Sequence, residues 1–446
     1  MSQVEPNRRQ FLKLATGAIG GLALAASLPG DGGYRRLPAI PTAIPTPEPR
    51  TQPLSHRDFL SAISVVARQT NAESTLTDCK NIMNGTARRC VVGGKQWIIP
   101  SPAYAEYFFS RDSWWTLAAL RDKNLSQMAV GQFAADQRNN ANGQIATALR
   151  IDGTHPPNRD RDDESTLIYV LQNYLLQQLG GQPNRESMQR AWPLTASHIN
   201  NGHYVTKGET RSGPEFGGTS QIGTYHCWSD TYRPAGAPVA SPEVFGYNQG
   251  LLCVAMRCLQ EMGIPLDKNL YQSSLTAYAN LVSPADGLSL PQRQGSSNMD
   301  VSALVGEALS LYYFNTPLLS DQRVGATLKR LARVWYPDGK FLGFKVISGA
   351  NGGFRPANEY SGGPVNAAGD YQRGASWFLY DVLALYAAAR HGVADASQLF
   401  VERLDSERRS RRASHEFIKT GPTNFGQTDA ERDGYGWNSF VVNLLP

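Results

Sequence analysis

Residues 374–390 read Gly-Ala-Ser-Trp-Phe-Leu-Tyr-Asp-Val-Leu-Ala-Leu-Tyr-Ala-Ala-Ala-Arg, which places Ala375, Trp377, Phe378, Leu379, Tyr380, Val382, Leu383, Leu385 and Tyr386 nearly all the way round a helix. A helix with no polar face has neighbours on every side. Other segments, such as 321–334, carry apolar residues on one face only. Buried helices alternating with amphipathic ones predict an inner ring of helices wrapped by an outer ring. Helical spacing is found over 55–69, 112–120, 125–137, 166–179, 186–199, 243–262, 268–282, 300–314, 321–334, 374–390 and 395–411, with a short terminal segment from Trp437. That is about twelve helices in pairs. Alternating strand-like runs are scarce, 95–99 and 341–347 being the best, so the expected class is all-α.

The chain has 446 residues, 41% hydrophobic and 18% charged, with a net charge of +5. This is a globular composition, and no basic stripe interleaved with aromatics marks a nucleic-acid surface. The cluster Arg408, Arg409, Arg411 and Arg412 reads as a solvated helix face. At the N-terminus, Asn7-Arg8-Arg9-Gln10-Phe11-Leu12-Lys13 precedes an uncharged Gly/Ala-rich run over 14–28. This is the pattern of a twin-arginine export leader, residues 1–28, read by the twin-arginine translocation machinery. The expected location is extracytoplasmic, with a tether only if the leader stays uncut and no stable membrane insertion after processing. Seven prolines between Pro29 and Pro53 make residues 29–53 an extended linker, and the folded domain is expected over 54–446. Cys79 and Cys90 flank a polar stretch and are candidates for a small disulfide, whereas Cys253 and Cys258 read as core residues. No metal-ligand spacing is present, and neither metal nor cofactor is expected.

The long connections, 138–162, 200–242, 284–299, 336–370 and 413–436, hold Gly, Trp, Tyr, Asp, Glu and Arg in excess of aliphatics. Long loops in a compact domain are usually functional. Tyr225-His226-Cys227-Trp228-Ser229-Asp230-Thr231 sets a carboxylate beside an aromatic ring. On its own Asp230 reads as a helix cap or turn residue. Phe109-Ser110-Arg111-Asp112-Ser113-Trp114-Trp115 pairs a guanidinium and a carboxylate with Trp114 and Trp115, groups suited to sugar hydroxyls and ring faces. In Asp162-Asp163-Glu164-Ser165, Glu164 and Ser165 read as a plain cap, with Asp162 and Asp163 as candidate sugar contacts. Ser414-His415-Glu416-Phe417-Ile418-Lys419-Thr420-Gly421 is followed by Gly434-Tyr435-Gly436-Trp437-Asn438-Ser439. Two carboxylates on different loops are what glycoside hydrolysis requires, but composition does not choose them.

Taken in order, these motifs resemble those of the (α/α)6-toroid glycosidases grouped with trehalase, processing α-glucosidase and the amylo-1,6-glucosidase-like bacterial enzymes. The matching runs are Phe109–Trp114, Asp162–Leu167, Trp228–Thr231 with Tyr247-Asn248, Gly369–Gly374 with Trp377, and Glu416 through Thr420-Gly421 to Tyr435–Ser439, spanning residues 90–446. The resemblance implies an (α/α)6 toroid and an inverting glycosidase acting on an α-glucosidic or similar bond. It further implies Asp230 as general acid and Glu416 as general base, with His415 or Lys419 helping to keep Glu416 ionised. Arg111, Asp112, Tyr247, Asn248, Tyr371, Arg373, Trp228, Trp377 and Trp437 then join the carbohydrate-binding set. His226-Cys227 departs from the smaller or acidic residues expected before Trp228, and Glu215 is an alternative acid. Rival readings are a toroid epimerase or polysaccharide lyase using His226, His415, Tyr225 and Tyr371 as bases, and a non-catalytic exported sugar-binding protein.

Overall fold

The structure, a computed structural model, describes residues 52–93, 97–137, 143–152, 164–206, 211–213, 218–222, 228, 243–356, 367–409, 414–428 and 434–446. The leader and most of the Pro-rich linker lie outside these residues. The chain reaches the domain at Leu54, whose N–H donates to Arg390 O at 2.7 Å and whose carbonyl accepts from the Arg390 guanidinium. Arg390 also donates to Leu311 O at 3.1 Å, so the entry point is fixed to the buried end of two later helices.

The first helix, α1 (His56–Gln69), is capped by Ser55 and buries Phe59, Ile63 and Ala67 at four-residue spacing. It is followed by α2 (Glu73–Arg89), which buries Leu76, Cys79, Met83 and Ala87. The stretch between Cys79 and Cys90 is therefore helix rather than loop, and the candidate disulfide is not formed. A helical rise of 1.5 Å per residue sets the two some 16 Å apart, beyond the roughly 7 Å that a disulfide spans. Both thiols are free and buried, and the Cys79 thiol donates instead to Leu404 O at 3.3 Å. Cys253 and Cys258 fill the core as expected.

Next come α3 (Ser110–Leu120) and α4 (Lys123–Gln137), then α5 (Ser165–Gln178) and α6 (Arg185–Ser197). They are followed by α7 (Gly246–Glu261) and α8 (Lys268–Asn280), α9 (Val305–Phe314) and α10 (Asp321–Arg330), and α11 (Phe378–Arg390) and α12 (Ala396–Arg409). A 3-10 segment over Gly436–Leu444 ends the domain. The predicted helix at 300–314 opens with a 3-10 turn over Val301–Leu304, where Asp300 caps Ser302 N. The one at 321–334 stops at Arg330, because Arg333–Trp335 pairs with Phe341–Phe344. Strands among the described residues form only two-stranded ribbons.

The helices make two concentric rings. Inner elements pack in the order α3, α5, α7, α9, α11 and the Gly436–Leu444 segment, which returns to α3 and closes the circle. Outside them lie α2, α4, α6, α8, α10 and α12, each against an inner partner. This is an (α/α)6 toroid. Every residue of α11 is buried, which is why its sequence shows no polar face. Close approach of α7 and α9 rests on glycine: a Cβ on Gly306 would sit 2.3 Å from the Gly250 backbone. Among the described residues no helix is long and apolar enough to cross a membrane.

Candidate active site

A ring in which inner helices alternate with outer return helices sends the N-terminal ends of all the inner helices to one face. There the unpaired N–H groups and helix dipoles favour carboxylates. Arg111 begins α3, Glu164 precedes α5, Tyr247 begins α7, Tyr380 begins α11 and Trp437 begins the closing segment. Arg111 and Glu164 form a short ion pair. Asp112 Oδ2 lies 4.0 Å from Arg111 Nε, and the guanidinium carbon sits 5.6 Å from the Trp437 ring centre. Burial alone would lower the Arg111 pKa, but the charge of Glu164 more than reverses that, with help from Asp112. Burial raises the Asp112 carboxyl against the pull of Arg111. The phenols of Tyr247 and Tyr380 are pushed far up, first by burial; Glu164 adds to this in both, while Arg111 opposes it. The Tyr247 hydroxyl faces Glu164 without completing a hydrogen bond to it.

Several buried polar atoms around this pair have no hydrogen-bond partner among the described residues: Arg111 Nε, Asp112 Oδ1, Glu164 Oε2, the hydroxyls of Tyr247 and Tyr380, and Trp437 Nε1. Buried polar groups are ordinarily satisfied, and each that is not costs about 1–3 kcal/mol. Donors and acceptors converge here in the mixture that a polyhydroxylated ring would satisfy.

Aromatic side chains wall the cluster. Trp377 lies 5.4 Å from Trp437, 5.1 Å from Trp228, 5.2 Å from Tyr371 and 5.7 Å from Phe417, the last stacked. Tyr380 lies 4.6 Å from Trp228 and 5.6 Å from Trp437. Trp228 is held at both ends, its indole N–H donating to Ser302 Oγ at 2.6 Å and its carbonyl accepting from Gln372 Nε2 at 3.4 Å. The Ser302 hydroxyl in turn donates to Asp300 at 2.6 Å. Burial pushes the Asp300 carboxyl up to about 7, against the hydrogen bonds from Ser302 and Trp228.

Glu416 is buried between two anchored neighbours. On one side His415 N donates to Glu407 Oε1 at 2.8 Å, and His415 O accepts from Asn438 Nδ2 at 2.6 Å. On the other, Ile418 and Ser376 exchange backbone hydrogen bonds of 2.9 Å in both directions. Burial pushes the Tyr435 phenol far up, and the charges of Asp112 and Glu416 add to this, so both carboxylates lie near the one phenol. Lys419 is turned away to Asp370, at 3.0 Å.

The ring belongs to a known architecture. A structure described as "Glycosidase Wild Type" matches with a TM-score of 0.54 at 12% identity, covering 84% of this chain and 98% of its own. A variant of that glycosidase in complex with glucose matches with the same TM-score and coverage at 11% identity. Its fold is one that glycosidases use. A GH63 mannosylglycerate hydrolase from Thermus thermophilus aligns at 0.49 and 11% identity, covering 82% of this chain and 99% of its own. No family model matches the chain, and no curated protein matches it in sequence.

The toroid thus brings together Arg111, Asp112, Tyr247, Trp228, Trp377, Tyr371, Trp437 and Glu416 at one end. Asn248 is buried beside Tyr247. Arg373 donates to Arg355 O at 2.6 Å. Trp114 and Trp115 have the contacts of core residues, lying 4.1 Å apart with Trp115 edge-on to Phe440 at 4.9 Å. Asp230, Glu215, Asp162, Asp163, Tyr225, His226 and Cys227 lie outside the described residues.

Glu164 departs from its reading as a plain cap, since its side chain makes no capping hydrogen bond and pairs with Arg111 instead. The sequence offers Tyr435 and Gln372 only inside longer motifs, without a role of their own, and gives no sign of Tyr380 and Asp300 as site residues.

Proposed function

We propose that the chain is an exported glycoside hydrolase that cleaves an α-glucosidic or similar bond in a small oligosaccharide or glucoside with inversion. The observation that carries this reading is the convergence, inside an aromatic box, of polar atoms from Arg111, Asp112, Glu164, Tyr247, Tyr380 and Trp437 that have no partner among the described residues, with Glu416 and Asp112 both near Tyr435. The Arg111 fork and the two carboxylates suit paired hydroxyls, and the indole and phenol faces suit the C–H side of a hexose. A glycosidase of similar fold holding glucose is in keeping with a sugar-binding role.

In this reading Glu416 takes a proton from water as that water attacks the anomeric carbon, and Asp230 gives its proton to the departing oxygen. Inversion requires the two carboxyls about 6.5–9.5 Å apart, so that the water fits between base and carbon. The acid must stay protonated near neutrality, which burial beside an aromatic such as Trp228 favours. Removal of the leader over residues 1–28 leaves the linker over 29–53 followed by residues 54–446 as the exported catalytic domain.

The test is a screen of residues 54–446 against α-linked disaccharides and aryl glucosides, with the first-formed anomer read by proton NMR. Glu416→Gln is expected to lose several orders of magnitude on every substrate. Asp230→Asn loses less on substrates with good leaving groups, which need little protonation. A retained anomer overturns the inverting mechanism. Near-normal rates for Asp230→Asn on a natural glycoside, together with an inactive Glu215→Gln, move the acid to Glu215.

A further inference from the structure

Tied to the chain on either side of Glu416 lies a buried ionic group that the chemistry above does not use. Arg403 of α12 donates through Nε to Asp381 Oδ2 of α11 at 2.8 Å. Through Nη1 it donates to Glu407 Oε2 at 3.2 Å. All three side chains are 0–1% exposed, and the guanidinium carbon stacks 4.8 Å from the Phe378 ring centre. Buried ions are costly, and well-packed apolar residues of similar size are commonly as stable or more so. Stability of the ring therefore does not account for this group.

What it touches does. The second oxygen of Glu407, Oε1, accepts from His415 N at 2.8 Å. Asp381 Oδ2 also accepts from Ser376 Oγ at 2.6 Å, and Ser376 is the residue whose backbone pairs with Ile418 in both directions. The residue before Glu416 and the second residue after it are thus tied to opposite ends of one guanidinium. Asp381 Oδ1 accepts from Phe344 N at 3.2 Å, which ties the group to the ribbon beneath.

We propose that Asp381, Arg403 and Glu407 are the positioning device of Glu416: Arg403 draws the two carboxylates together, and they set the backbone on either side of the base. This rests on the reading of Glu416 as general base. A base displaced by about 1 Å loses on the order of 10²-fold in rate, while a sugar held by the Arg111 cluster, which makes none of these contacts, binds as before.

Glu407→Gln and Glu407→Ala separate the possibilities. Gln keeps an oxygen for His415 N, whereas Ala keeps nothing. Expected for Glu407→Ala is a kcat lower by about 10²-fold with KM within about twofold, and for Glu407→Gln a loss of about tenfold or less. Ser376→Ala, which removes one hydroxyl and leaves the ions paired, serves if Glu407→Ala fails to fold, and is expected to lower kcat with KM unchanged. Amide exchange at His415 and Ile418 accelerates in all three variants, a readout that needs no activity. Unchanged exchange and wild-type kcat in folded Glu407→Ala overturn the inference, as does a matching rise in KM. If exchange accelerates but neither wild type nor any variant hydrolyses a glycoside, the hydrolase reading fails while the clamp stands as a feature of the loop.

Discussion

Replacing Glu164 by Gln tests whether the Arg111 pair is a strut, a sugar contact or both. The substitution keeps the side-chain volume and one carbonyl acceptor but removes the charge. The Glu164 side chain is 2% exposed and Arg111 17%, so water screens the pair little. Breaking a buried pair outright costs about 3–5 kcal/mol. Here Asp112 remains 4.0 Å from Arg111 and an amide oxygen replaces the carboxylate, so a loss of about 2 kcal/mol is expected. With a urea slope of about 2–3 kcal/mol/M, the unfolding midpoint falls by roughly 0.7–1 M, read by tryptophan fluorescence. A charge-assisted hydrogen bond to a sugar hydroxyl is worth about 1.5–3 kcal/mol, so KM or the dissociation constant for the glycone rises by about 10- to 100-fold. If the midpoint falls and sugar affinity does not, Glu164 only braces Arg111. If neither moves, the unpartnered Oε2 is not a recognition atom and the argument from converging orphan groups is refuted.

Stability should peak on the acid side of neutrality. Burial raises Asp300 to about 7 and Asp381 to about 6. The folded chain then binds protons that an unfolded carboxylate of pKa about 3.9 does not, and stability falls as pH rises from about 4 to 7. His391 works in the same direction: burial lowers its pKa, but hydrogen bonds and charge from Glu307 and Asp321 more than reverse this. Its contribution is full below about pH 6.5 and is lost as pH rises through the higher folded value. Urea midpoints at about pH 5.5 and pH 8 check the sign, and Asp300→Asn is expected to narrow the difference between them. Gly306→Ala drives a Cβ to 2.3 Å from the Gly250 backbone and should cost about 3 kcal/mol or more. Gly85→Ala, with nothing within 4 Å of the new carbon, should be neutral or stabilise by about 0.5–1 kcal/mol in the same unfolding assay. Replacing Arg8 and Arg9 by Lys is expected to leave folded precursor in the cytoplasm, and fractionation that finds it exported refutes the twin-arginine reading.

The rings were legible because burial writes itself into periodicity: α11 shows apolar residues on all faces, and α1 and α10 show them on one. The helix α2 was not legible, since its buried face alternates Leu76, Cys79 and Met83 with Thr75 and Thr86, and small polar residues dilute the stripe. At the site, Arg111 and Asp112 stood out through their spacing before two tryptophans. Glu164 did not, because an acidic residue ahead of a helix usually caps it; only the packing of α3 against α5 turns it toward Arg111. Tyr380 was hidden by its own helix, where a phenol among leucines reads as core. The clamp on Glu416 joins residues 376, 381, 403, 407 and 415, and no local pattern announces contacts made across the ring.

The circle is closed by a segment that follows every helix of the ring in the chain, and this bears on the order in which the ring can form. Gly436–Leu444 fills the final gap between α11 and α3, and Asn438 from the same segment holds the carbonyl before Glu416. A growing polypeptide therefore acquires Arg111, Glu164, Tyr247 and Tyr380 before Asn438 can hold the carbonyl ahead of Glu416. A chain stopped short of Gly436 is an open hoop whose two edges, α11 and α3, are left unjoined. The open and the shut hoop thus differ in the surface they expose, because the faces of α3 and α11 that pack on Gly436–Leu444 are covered only when it is in place.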